Sequence, residues 1–273
     1  MTAPSRALPI LWFFLLAWLF SWVFMVPLAL ASHGAIAPLP GWLHYLSAYG
    51  PLLSALVVVG ATEGSAGLRA WWSRLTEGRA GAWPWTLALS PLLLYGAAAV
   101  AERLVRGAWP DPRLLGRLNF LPDIGLWSVV LWLFNSGLGE EAGWRGYALP
   151  ALQRRFGPRL ASLVVAGGWI VWHVPAFFYL PSYARLDAGA VVGFVLGVTS
   201  GAFLLTWLSN ASRGGTLLPI VWHGLFNSTT APPGNAGTIA AVISTAVMVL
   251  GFLALFALRR GAGAGAARAI GSR

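Results

Sequence analysis

Three stretches of this chain set polar side chains into otherwise apolar sequence: EEAGWR at 140–145, WIVWH at 169–173 and HGLFN at 223–227. Carboxylate, imidazole and carboxamide together make a working set for hydrolysis. A Glu could deprotonate a water. A His could orient that water or share its proton, and His with Asn could donate to a developing oxyanion. Helical spacing sorts the candidates, because side chains four apart share a face. Glu141 can therefore pair with Arg145 along its own helix. Glu140, five residues from Arg145 and about 140° around the helix, is free to point elsewhere. His223 and Asn227 share one face, with Gly224 between them letting another backbone or a substrate chain approach closely. Trp169 stacks one turn before His173.

Each group has an ordinary explanation when taken alone. Glu141–Arg145 reads as a structural ion pair, a histidine in a Trp-rich helix as a hydrogen-bonded core residue, and a buried Asn as a link between helices. The conjunction is harder to dismiss. An ionised carboxylate at a helix centre in hydrocarbon costs roughly 2.5 to 3.5 kcal/mol, and polar groups there turn toward the bundle interior. Glu140, His173, His223 and Asn227 are expected to converge.

The elements that must position them are membrane helices. The chain has 273 residues, 58% of them hydrophobic and 10% charged, where soluble domains carry about 25% charged. Its length suits one helical domain, residues 1–258, with the motifs at 124–231 and a basic, Gly/Ala-rich disordered tail at 259–273. The absence of cysteine excludes disulfides and thiolate metal sites. The net charge of +10 does not signal nucleic-acid binding, because its arginines are scattered through short loops.

A window of about 20 residues per span predicts helices near 8–31, 42–62, 85–105, 124–144, 160–180, 188–209, 216–231 and 236–258. The first is too long for a signal-peptide core and is read as uncleaved. The seventh is short, contains Pro219, and is expected to lie buried within the bundle. Trp12, Trp18, Trp22, Trp71 and Trp72 are read as lipid or interface anchors. With the N-terminus inside, Arg6, Arg69, Arg74, Arg79, Arg154, Arg155, Arg159, Arg213 and the tail arginines fall on the cytoplasmic side. Arg103, Arg106, Arg113, Arg117 and Arg185 fall outside. That bias favours both termini in the cytoplasm, in an integral protein of a bacterial inner membrane.

At these residues the chain resembles the CPBP intramembrane proteases, which include the CAAX prenyl endopeptidases and the bacteriocin-immunity (Abi) proteins. Their pattern is E-E-x-x-x-R, then an aromatic residue with His four later, then H-x-x-x-N. Here it stands as Glu140-Glu141…Arg145, Trp169…His173 and His223…Asn227, with Trp where Phe is commoner. AYGPLLSALV in the second span is similar to the family as well.

The resemblance implies an all-α polytopic bundle of about eight transmembrane helices around a catalytic cavity. It implies Glu140 as general base assisted by His173, with His223 and Asn227 stabilising the oxyanion. Glu141, Arg145 and Trp169 would support the site. Glu140, His173 and His223 could instead hold a divalent metal, zinc being the obvious one. Glu140 could then hardly serve as base. The partners implied are the bilayer and a membrane-associated peptide or protein, prenylated in the family's best-known case. Two other readings compete: a non-catalytic immunity or scaffold protein of the same family, and a proton-coupled transporter. No key motif residue is missing, which weighs against the first, and no internal repeat is present, which weighs against the second.

Overall fold

Backbone in hydrocarbon has no water to satisfy it and must close its own hydrogen bonds. The computed structural model describes residues 8–111, 113, 115, 117–232 and 237–258, and those residues form helices with no strand among them. The expected tail at 259–273 lies outside the described residues.

The order is α1 (Leu8–Ser32), a 3-10 segment (Gly41–Tyr49), α2 (Gly50–Leu75), α3 (Ala82–Ala88) and α4 (Ser90–Arg106). Then come α5 (Trp127–Trp132), a π segment (Leu133–Glu140), α6 (Glu141–Gly143), a second π segment (Trp144–Ala148) and α7 (Leu149–His173). A 3-10 turn (Val174–Phe178), α8 (Pro181–Ala184), α9 (Ala188–Ala211), α10 (Leu217–Thr230) and α11 (Thr238–Ala257) complete it.

All eight predicted segments are helical, but not as eight simple spans. Five continuous elements among the described residues are long and apolar enough to cross a bilayer, and α3 with α4 make a sixth if their 53° bend is spanned. The fourth and fifth predicted spans belong to one element, Trp127–Phe178, broken at Gly157, whose φ of 72° suits a residue without Cβ. The seventh is α10, only 14 residues long and so about 21 Å. It is buried along much of its length and packs against α4, α9 and the first π segment. Pro219 sits in its first turn, where the missing N–H costs nothing.

The tryptophan reading needs correction. Trp12 and Trp72 are 52% and 57% exposed, as anchors should be. Trp71 is only 2% exposed and donates its indole N–H to the Ala142 carbonyl. Trp18 and Trp22 donate to the carbonyls of Gly168 and Trp172. An indole joins an apolar body to one donor, so it can clamp two helices as readily as it anchors one in lipid. Three of the five clamp, tying α1 to α7 and α2 to α6.

Candidate active site

The first motif lies where the helix changes its winding. Leu133–Glu140 and Trp144–Ala148 are π-helical, with the single α turn of α6 between them. Such widened turns are rare and occur often at functional sites. The first of them is held by backbone-to-backbone contact with α10. A Cβ built on Gly224 would fall 2.7 Å from the Leu133 Cα, and one on Gly137 would fall 2.6 Å from the Ile220 carbonyl oxygen. Gly224 therefore admits another backbone, and that backbone is the π segment. Gly224→Ala is expected to cost about 1–3 kcal/mol of stability by overpacking, measured by thermal unfolding. Gly201→Ala, whose new methyl would meet nothing within 4 Å inside α9, is the matched control and is expected to hold stability or raise it by up to about 1 kcal/mol.

The side chains follow from this crossing. Glu141 Oε1 accepts from Arg145 Nη1 at 2.8 Å and from His223 Nδ1 at 2.8 Å, with Glu141 and Arg145 fully buried. The i,i+4 pairing expected from spacing is present, and the same carboxylate also grips α10. Glu140 Oε2 accepts the Trp169 indole N–H at 2.8 Å. His173 Nδ1 lies 2.8 Å from the Trp169 carbonyl, and Asn227 Nδ2 lies 3.5 Å from His223 Nε2.

Trp169 is the centre of the group. Its ring lies 5.2 Å from His223, nearly edge-on, and 5.9 Å from His173. The Arg145 guanidinium sits 4.9 Å over the same ring. The expected stacking on His173 is not what forms: the two rings are tilted by 48°. Four of the other six motif residues, Glu140, Arg145, His173 and His223, therefore converge on the indole, while Glu141 and Asn227 attach through His223.

Residues 122–229 match the family described as type II CAAX prenyl endopeptidase, Rce1-like. A stretch of 133 residues is 29% identical to CAAX prenyl protease 2 of Methanococcus maripaludis and covers 47% of each chain. The matched residues contain all three polar motifs, at 140–145, 169–173 and 223–227. The similarity spans about half the length of that curated relative.

Within this segment the hydrogen bonds fix the imidazole tautomers. A carbonyl can only accept, so His173 Nδ1 carries a proton, and in the neutral ring Nε2 is left as an acceptor. His223 Nδ1 likewise donates to the Glu141 carboxylate, leaving its Nε2 toward Asn227. Glu141 Oε2 and Arg145 Nε and Nη2 are buried without a protein partner.

A metal fits this arrangement poorly. Among the described residues no group of three or more His, Asp or Glu side chains gathers as a metal would need. Glu140 has one oxygen on Trp169, and the two imidazoles hold Nδ1 on protein acceptors, which leaves Nε2 of each as the nitrogen a metal would take. The Trp169 indole packs against all three groups.

Three features of this site were not found in the sequence. Asn135, 5% exposed, donates to the Tyr45 carbonyl at 2.6 Å and ties the first π segment to the 3-10 segment before α2. Its signal was a polar residue inside LWLFNSGLG. His44 has Nδ1 2.6 Å from the Tyr179 hydroxyl. Tyr183, with Phe194, packs on the outer side of His173 at ring distances of 5.9 and 5.2 Å. Burial raises the Tyr183 phenol pKa above its ordinary range, and the negative charge of Glu140 adds to that. The described cavities lie elsewhere, on α2 and between α1 and α2.

Proposed function

We propose that this chain is an intramembrane endopeptidase that hydrolyses a peptide bond of a membrane-associated substrate, with Glu140 as general base. The match of residues 122–229 supports endopeptidase chemistry at family level. The assignment within the site rests on one observation. Glu140 is a buried carboxylate with one oxygen held by Trp169, the same indole that packs against both imidazoles.

In this reading Glu140 takes a proton from water as the water oxygen attacks the scissile carbonyl carbon. The Nε2 lone pair of His173 accepts the water's second hydrogen and orients it. The oxyanion is met by the Asn227 amide and by His223 Nε2, which must carry a proton to donate. Collapse breaks the C–N bond. Glu140 returns its proton to the leaving amine and its carboxylate is restored. The products are a carboxylic acid, which still carries the water's second hydrogen, and an amine. The acid then gives up that proton to the amine or to solvent. Glu141 positions His223 through Nδ1 and does not touch substrate.

The test is cleavage of a panel of membrane peptides, prenylated and not, by purified wild type. The substrate class is CAAX-like if the prenylated members are cut selectively. Removing either His223 or Asn227 is expected to lower turnover by about 10²–10³ with little change in substrate affinity. The double variant should lose less than the product of the single losses, since groups acting together are non-additive. Asn227→Ala with wild-type turnover would remove that residue from the site. Trp169→Phe keeps a ring between the imidazoles and removes only the N–H to Glu140. Its expected loss is smaller, about tenfold, the worth of roughly one hydrogen bond to a charged group, read from single-turnover rates.

A further inference from the structure

Gly64 interrupts α2 with φ 65° and ψ −160°, a conformation that favours glycine. Leu56 before the break and Leu68, Trp71 and Trp72 after it wall a cavity of about 530 Å³ outside the site. Arg69 stands at its lip. The two following arginines are engaged, Arg74 with the Gly146 carbonyl and Arg79 with Glu77. Arg69 is exposed and has no hydrogen bond or ion pair among the described residues.

An apolar cavity edged by one unpaired guanidinium asks for an occupant with both a hydrocarbon chain and anionic oxygens. A free anion would leave the leucine and tryptophan walls uncovered. A peptide would set backbone polar groups against walls whose only other polar groups are the Ser73 and Thr76 hydroxyls, both already donating to nearby carbonyls of their own segment. A phospholipid supplies both parts, and basic residues beside a membrane helix attract anionic headgroups. We propose that this cavity holds an acyl chain of an anionic phospholipid whose phosphate is bound by Arg69.

The site would not be passive. Trp71 forms one wall, and its indole N–H donates to the Ala142 carbonyl at 3.1 Å, one residue after Glu141. A chain in the cavity meets the small part of Trp71 that protein leaves open, so its arrival is sensed at the indole that is bonded to α6. This inference does not depend on the proposed chemistry.

The test uses the full chain, purified in detergent and offered equal amounts of phosphatidylglycerol and phosphatidylcholine with identical acyl chains. Retained lipid is read by native mass spectrometry. Wild type is expected to keep phosphatidylglycerol in preference. Arg69→Gln should reduce that preference about fivefold, the factor carried by one arginine near a charged surface, and should still retain a lipid. Leu56→Trp fills the cavity and should lose both lipids. Arg69 is exposed and Leu56 is 42% exposed, so neither change disturbs the core. The Trp71 indole ¹⁵N–H resonance should shift on adding phosphatidylglycerol to wild type and stay fixed in Leu56→Trp. Equal retention of the two lipids by wild type would overturn the proposal. So would an unchanged preference in Arg69→Gln, or wild-type retention by Leu56→Trp.

Discussion

Glu140→Gln is expected to abolish peptide hydrolysis while leaving a folded, membrane-inserted protein. The carboxamide has the shape of the carboxylate, and its oxygen can still accept the Trp169 indole N–H that now lies 2.8 Å from Oε2. What disappears is the capacity to take a proton from water. Positioned general bases contribute about 10²–10⁴ in rate, and the returning proton on the leaving amine is lost with the base. The measurement is single-turnover cleavage beside a thermal melt of the same preparation. An unchanged melt with turnover below detection is the expected pair of results. Full activity in the Gln variant would end the assignment of Glu140.

The second large effect lies one residue on. Arg145→Ala is expected to cost about 3–5 kcal/mol of stability, since removing one member of a buried pair strands the other. Both side chains of Glu141–Arg145 are fully buried at 2.8 Å, so water cannot compensate for the missing partner. Arg145→Lys should rescue only part of this, because an ammonium cannot lie flat over Trp169 as the guanidinium does. Glu141→Ala should be as unstable, and should also lose turnover per folded molecule, because it removes the acceptor of His223 Nδ1. That second loss separates the two variants, since Arg145 has no bond to His223. Thermal unfolding together with rates normalised to folded protein checks the pair. Normal stability with lost catalysis in Glu141→Ala would mean that the roles of the two glutamates are exchanged.

The membrane class, the helical segments and the motif residues were legible because each is a local property. Twenty apolar residues must be helical in hydrocarbon, and a run such as AVISTAVMVLGFLALF carries that message without its neighbours. Glu141–Arg145 was legible for the same reason, because four-residue spacing on one helix brings the pair together. The brevity of α10 could also be read, from a short apolar run with Pro219 near its start.

What needed tertiary structure was everything that one helix does to another. No local spacing announces the π segments at 133–140 and 144–148, which form where glycines let α10 press its backbone against the first of them. Nor does sequence say which indoles face lipid. Trp71 and Trp72 are adjacent and chemically identical, yet one is buried on the Ala142 carbonyl and the other lies 57% exposed. The same holds for the glutamates. Sequence separated a paired Glu141 from a free Glu140, but only packing put Glu141 on His223, 82 residues away, and Glu140 on Trp169. Periodicity fixes which face of a helix is apolar, whereas the partner that face meets is set by crossings between distant helices, and those crossings decide what each polar group touches.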